Sequence, residues 1–259
     1  MKEKREILKL VSEKFVQIIG LDWFGFSIKI LDLYDELSFF LYRENENSGK
    51  NDIIYFVYGW EVDSKNRTNL YLNKNHFQSS VLFKNISEIL HFVLGKPSYE
   101  ESLYGSFLGE FGKTVTNFPE FTKNLRWMAR EENDLMLLEN GEVHEENLKV
   151  VADSIYQYLM NWHLPFFDRV SSLQVVNDEI INKVTKEEYG NYIPGRFMNA
   201  KVLIIMKLCN NPRYVEFRDW ALGAYGKGAE MNPDRYLEDF KIIKSLTEYL
   251  DSGNYKELL

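Results

Sequence analysis

The sequence predicts an α+β fold with an N-terminal helix, an antiparallel β-meander covered by helices, and a C-terminal helical extension. Apolar residues recur at three- and four-residue spacing at the start of the chain and across its second half, whereas they alternate with polar residues over residues 24–30 and form further strand-like segments up to residue 62. Short polar turns join these segments, which favours antiparallel hairpins over βαβ units. With no linker rich in proline, glycine or serine, we predict an α+β domain at 1–185 and a helical extension, packed on it, at 186–259.

The first helix is predicted from an apolar stripe that includes Ile7, Val11 and Phe15, with charged residues on the other face. Gly20 is well placed to end it. Strands are then expected at residues 24–30, 37–43 and 53–62, with a further short strand at 69–72.

Helical spacing returns after Ser87, which we expect to cap a helix. A second helix over residues 148–162 should stop before Pro165. Ser171 and Gln174 have the spacing of a capping box and predict a third helix. In the C-terminal extension, Asn-Pro pairs at 211–212 and 232–233 each predict a helix start, with asparagine as the cap and proline at the first helical position.

Composition limits the possible partners and compartments. The chain has 259 residues, and its 31 basic and 39 acidic residues give a net charge of −8, which argues against binding to nucleic acid and leaves a basic protein partner open. The single cysteine cannot form an internal disulfide. Apolar runs fall far short of the roughly 20 residues that a membrane span needs. We therefore expect a cytoplasmic protein that does not bind membranes; its oligomeric state is not predicted.

The chain lacks the sequence motifs of common catalytic sites. A cluster at Gly223, Gly226 and Gly228 departs from the phosphate-loop pattern and is expected to mark a helix end that runs into a loop. His144-Glu145 begins a zinc-protease motif, but the second histidine would fall at Leu148. We predict neither catalytic residues nor a metal or cofactor, and we lean towards a protein that is not an enzyme.

Acidic residues are concentrated between Arg130 and Lys149, where seven carboxylates occur without a basic residue. One interpretation is a solvated loop and helix start, since carboxylates favour the positive end of a helix dipole. The other is an anionic patch that steers a basic partner. The residues predicted to bind the partner are Glu131, Glu132, Glu142 and Glu145.

An alternative site lies near the expected helix break at Pro165. His163, Asp168 and Arg169 could lie at the mouth of a pocket, where they would serve a small-ligand-binding protein or an enzyme, and His91 is a further candidate. The more ordinary interpretation of Asp168 and Arg169 is an ion pair or turn contact.

The segment Tyr158 to Leu173, with its Leu-Pro-Phe-Phe step before Arg169, resembles the helix-break-helix of the bacterial family called domain of unknown function 4304. The earlier order of a helix, strands and Tyr42-Arg43 near a turn is also similar, so the resemblance covers residues 1–185. It implies a partner-binding or toxin-neutralising (immunity-like) protein. Together with the acidic charge and 39 aromatic residues, it predicts a soluble, non-enzymatic, protein-binding module.

Overall fold

The fold was analysed in a computed structural model of the chain. The structure describes residues 2–20, 26–31, 36–45, 49–62, 68–72, 78–95, 138–139, 142–160, 164–193 and 197–258. The predicted Ser171 cap and most of the predicted strands and helices fall within these ranges, whereas much of the acidic stretch and His163 lie outside them.

Helices and strands occur together, which confirms the α+β class. The first part of the chain contains α1 (Lys2–Ile19), β1 (Phe26–Leu31), β2 (Glu36–Asn45), β3 (Lys50–Val62), β4 (Thr68–Leu72), β5 (Gln78–Phe83) and α2 (Lys84–Leu94). After it come β6 (Leu138–Glu139), β7 (Glu142–Val143), α3 (Glu145–Tyr158), α4 (Leu164–Arg169), α5 (Leu173–Val176), a π-helix (Asn177–Ile181) and a 3-10 helix (Lys186–Asn191). The C-terminal helices are α6 (Met198–Leu208), α7 (Tyr214–Met231) and α8 (Pro233–Ser252), followed by a 3-10 turn (Asn254–Glu257).

The larger sheet has five strands in the order β1-β2-β3-β4, with β5 paired to β3. β1 and β2 are antiparallel, with Phe26 opposite Leu41, and so are β3 and β4, with Tyr58 opposite Leu72. Because β5 pairs with β3 and not with β4, the strands do not follow one another as a simple β-meander requires, and that part of the fold prediction is not supported. A separate antiparallel pair joins β6 to β7.

The chain divides into two compact units, each assembled from three segments. One comprises Met1–Glu44, Asp52–Ser80 and Ser106–Asp168, and the other comprises Asn45–Asn51, Val81–Gly105 and Arg169–Leu259. The boundary after residue 185 stays a prediction.

In the first unit, α1 packs against α3. Val11, Phe15 and Ile19 of α1 are buried at four-residue spacing, which places them on one face of the helix. Leu148 and Ala152 of α3 are likewise buried, four residues apart. Gly20 follows α1 with a φ of 65°, a left-handed conformation that ends the helix as predicted.

In the second unit, α6 is the central helix and contacts α2, α7 and α8. Residues 200–206 of α6 are all buried, and even Lys201 has an exposed fraction of 0%. α7 and α8 pack against each other as a helical hairpin. None of the helices that the structure describes is long and apolar enough to cross a membrane.

Two predicted helix starts are wrong, although the helices exist. Ser87 is buried inside α2, which begins three residues earlier at Lys84, directly after β5. The cap of α5 is Ser172 instead of Ser171, since Ser172 Oγ accepts from the backbone N–H of Val175 at 3.3 Å. In both cases a serine close to an apolar run correctly indicated a helix, but the residue at which the helix begins was wrong.

The two predicted Asn-Pro starts have different outcomes. Asn232 caps α8, with its side chain accepting from the N–H of Arg235 at 3.3 Å and Pro233 at the first helical position, as predicted. Asn211 Oδ1 accepts from the N–H of Arg213 at 2.9 Å, but Pro212 is outside the helix, because α7 begins at Tyr214.

The glycine cluster does not mark a helix end. Gly223, Gly226 and Gly228 all lie inside α7, which continues to Met231. A Cβ atom at Gly228 would lie 3.2 Å from Cγ of Tyr236 in α8, so this glycine gives the aromatic ring room against the α7 backbone. Close packing between the two helices explains the glycine at this position.

Candidate functional site

The structure describes two of the four residues predicted to bind a partner. Glu142 lies in β7, and Glu145 is the first residue of α3 with its side chain 73% exposed. Glu131 and Glu132 lie outside the described residues. The described end of the acidic stretch is therefore a strand followed at once by a helix start.

The start of α3 has the charge expected of a helix N-terminus. Glu145 and Glu146 occupy its first turn and are both exposed. Carboxylates are favourable there because the unpaired backbone N–H groups make the end of the helix partly positive. His144 precedes the helix, and its carbonyl accepts from the N–H of Leu148 at 2.9 Å. The local sequence thus accounts for the position of these two carboxylates.

An open groove of about 460 Å³ runs between α1 and α3, and we call it the α1–α3 groove. Leu148 is fully buried beneath it, whereas Ile18 at its edge has an exposed fraction of 36%. The groove thus offers apolar surface beside the two exposed carboxylates. Its lining consists of Lys14, Gln17, Ile18, Glu145, Glu146, Leu148 and Lys149.

Lysines partly compensate the charge of the groove. The Lys14 ammonium donates a hydrogen bond to the Glu145 carboxylate, and this contact lowers the pKa of Glu145. Lys149 pairs with Asp153 one turn further along α3, at 2.5 Å. The groove lining thus contains two lysines and two glutamates, so the anionic patch suggested by the sequence is less negative at its described end.

The α1–α3 groove combines charged and apolar side chains. Its lining contains ammonium, carboxylate, amide and aliphatic groups. Among the residues that the structure describes, no group of three or more histidine, cysteine, aspartate or glutamate side chains could hold a metal ion. An apolar strip bordered by polar and charged side chains resembles the core and the rim of a protein interface.

The alternative site is described only in part. His163 lies outside the described residues, Arg169 ends α4, and His91 lies in α2. Asp168 has a side chain that is 77% exposed and forms a long ion pair, at 3.9 Å, with Nη2 of Arg43. Pro165 lies in the first turn of α4, where its missing N–H costs nothing. The ligand site near Pro165 stays a prediction.

Arg43 connects Asp168 to the sheet. Its guanidinium donates to Oδ2 of Asp52 through Nε at 3.1 Å and Nη2 at 2.7 Å. The Asp52 side chain is only 5% exposed. A charge-assisted contact to a nearly buried carboxylate fixes the guanidinium in place. The sequence points to Arg43 only through the family resemblance, because no motif links Asp52 or Asp168 to it.

No protein-family model, curated protein or solved structure was found to match the chain. The resemblance to domain of unknown function 4304 therefore stays an expectation from the sequence.

Proposed function

We propose that this chain is a non-enzymatic, immunity-like binding module, and that the surface at the start of α3 recognises a basic protein partner. The observation that carries the proposal is the α1–α3 groove, where exposed Glu145 and Glu146 adjoin the exposed edge of Ile18. The net charge of −8 supports the same partner chemistry at long range.

Charge and apolar contact have separate roles in this proposal. The acidic residues accelerate encounter with a basic partner, because opposite charges steer diffusion over about a Debye length, ~8 Å at physiological salt. The apolar edge of the groove then supplies affinity that salt does not screen. Since Lys14 already pairs with Glu145, a cation of the partner would compete with Lys14 for that carboxylate.

The test begins with a partner captured from the native cell lysate at low salt and identified. Its association with the full chain is then measured by stopped-flow at several salt concentrations. Substituting glutamine at Glu131, Glu132, Glu142 and Glu145 together should slow association about tenfold at low salt and flatten its salt dependence, because the acidic stretch proposed to attract the partner loses four charges.

The matched control removes four carboxylates from the other compact unit. Glutamine at Glu216, Glu230, Glu248 and Glu257, all of which are exposed, changes the net charge equally but leaves the start of α3 intact. We expect a clearly smaller effect on the association rate. Equal slowing by both variants would show that association depends on the net charge of the chain and not on the start of α3. Unchanged association in the first variant would overturn the proposal.

A further inference from the structure

The far end of the α7–α8 hairpin, residues 222–242, is described throughout and contains no buried residue. Two large apolar side chains in this segment are therefore exposed. Met231 at the end of α7 has an exposed fraction of 86%, and Leu237 on α8 one of 41%. Isolated exposed apolar residues are common, so the charges around these two residues have to be considered as well.

Aromatic rings occupy the inner side of the hairpin. A Cβ atom at Gly226 would lie 3.6 Å from Cε2 of Phe240, and one at Gly228 would lie 3.2 Å from the ring of Tyr236. Both rings therefore pack against the backbone of α7. The side of α8 that faces away from α7 therefore consists of other residues.

That outer side of α8 has an ordered distribution of charge, and we call it the α8 outer face. Asp234, Leu237, Glu238, Lys241 and Lys244 recur on it at three- and four-residue spacing, and all five are exposed. Between residues 234 and 244 the acidic residues come first and the two lysines follow within two further turns, and the exposed Glu248 lies one turn beyond Lys244. The segment 234–244, with its carboxylates at one end and its lysines at the other, is complementary to an antiparallel copy of itself.

We propose that the α8 outer face is a dimerisation surface, on which α8 of one chain pairs antiparallel with α8 of a second copy. A two-fold axis near the middle of the segment brings Glu238 of each chain close to Lys241 of the other, and Asp234 close to Lys244. The two Leu237 side chains lie between these pairs and provide the apolar contact.

The expected dimer is weak. A standard interface uses roughly 20–30 residues a side, and the α8 outer face offers far fewer. Its ion pairs are exposed, so salt screens them. We expect a dissociation constant in the micromolar range that rises with ionic strength. The surface belongs to the unit that does not contain the α1–α3 groove, so this inference does not depend on the proposed function.

Sedimentation velocity of the full chain over ~1–100 μM, a range that brackets micromolar affinity, provides the first test. We expect dimer at low salt and a shift to monomer at high salt. A chain that stays monomeric throughout the low-salt series overturns the inference. A dimer that is insensitive to salt also overturns it, because the pairing is carried by charge.

Charge reversal distinguishes antiparallel pairing from any other contact. One variant combines Lys241→Glu with Lys244→Glu, and the other combines Asp234→Lys with Glu238→Lys. Each alone places like charges opposite each other and should weaken dimerisation at least about tenfold. In an equimolar mixture the two variants are complementary, and a mixed dimer should form. Failure of the mixture to associate, with both variants folded by circular dichroism, refutes the antiparallel arrangement.

Val215→Asp is the matched control. Val215 is an exposed apolar residue, with an exposed fraction of 52%, and it lies at the opposite end of the hairpin from Met231. Its substitution should leave the dissociation constant unchanged, whereas Leu237→Asp should raise it. If Val215→Asp abolishes the dimer and Leu237→Asp does not, the contact lies elsewhere.

Discussion

Asp251 connects three helices through a single carboxylate. Its oxygens accept from Lys207 Nζ at 3.1 Å, the Tyr214 hydroxyl at 2.9 Å and Arg218 Nη1 at 2.8 Å. Burial alone would raise the pKa of Asp251, but these three donors outweigh it and lower the pKa. Burial, followed by the hydrogen bond to Asp251, raises the pKa of Tyr214. The charged form of Asp251 is therefore the one that the folded state favours.

Asp251→Asn should lower the free energy of unfolding by about 1–2 kcal/mol at neutral pH. Hydrogen bonds between charged groups contribute about 1.5–3 kcal/mol, and the 36% exposed side chain of Asp251 reduces that figure through solvent screening. Urea denaturation measures the loss. Asp219→Asn is the control, since Asp219 also pairs with Arg218 but is 61% exposed. A larger loss for Asp219→Asn would contradict this explanation.

Asn211 shows how much of a residue's role can be predicted from its neighbours. Its acceptance of the Arg213 N–H is local capping chemistry, which the Asn-Pro pair indicated. Its side-chain amide also donates to Oδ1 of Asn177 at 2.6 Å and of Asn182 at 2.9 Å. Those partners lie about thirty residues away, and nothing in the spacing of polar residues marks them. The local contact could be predicted, whereas the cross-link depends on the tertiary fold.

At the scale of elements, the glycines of α7 lend themselves to a paired experiment. Glycine inside a helix costs roughly 0.5–1 kcal/mol relative to alanine. A Cβ atom at Gly223 would meet nothing within 4 Å, whereas one at Gly228 would lie 3.2 Å from Tyr236. Gly223→Ala should therefore raise the free energy of unfolding by about 0.5–1 kcal/mol.

Gly228→Ala should raise the free energy of unfolding less than Gly223→Ala does, or lower it, because the Tyr236 ring must move to accommodate the methyl group. Thermal and urea unfolding of the two single variants compare them directly. Equal stabilisation by both would mean that the ring moves without cost and that helix propensity alone governs these positions.

Elements with a strong repeat or a complete cap were predictable. α1 was identified by its apolar stripe, and α8 by the Asn232-Pro233 start. β5 was missed because it combines Ser79 and Ser80, which are typical of turns, with a short apolar run. Because β5 was missed, the start of α2 was also predicted too late. Lys84 follows β5 directly and donates its N–H to the carbonyl of Gly49 at 2.9 Å.

At the scale of the whole chain, charge pairing over long sequence distances limited what could be predicted about the candidate site. The acidic stretch was evident in the sequence, but Lys14, which pairs with Glu145, is 131 residues away. Arg43 and Asp168 are likewise brought together only by the fold. Composition therefore gave the sign of the surface charge, whereas its local compensation required the structure.

Acid should destabilise the folded chain, because the pKa of carboxyl groups in both compact units is lowered. Hydrogen bonds lower the pKa of Glu145 from 4.5 and the pKa of Asp178 from 3.8, through Lys14 and Gln174 respectively. The pKa of Asp251 is also below its ordinary value of 3.8. A carboxyl group whose pKa is lower in the folded state binds protons more readily when the chain is unfolded. Its contribution is complete above the unfolded pKa and is lost as the pH falls through the folded pKa.

We therefore expect the free energy of unfolding to be nearly constant from neutral pH to about pH 5 and to fall steadily below it. Urea denaturation at a series of pH values measures the slope. Asp251→Asn should flatten it, since one of the three carboxyl groups no longer titrates. Asp219→Asn is unsuitable as a control here, because Asp219 also pairs with Arg218. Glu230→Gln, at an exposed position of α7, is the better control and should leave the slope unchanged. Stability that rose on acidification would show that groups with raised pKa values dominate proton binding instead.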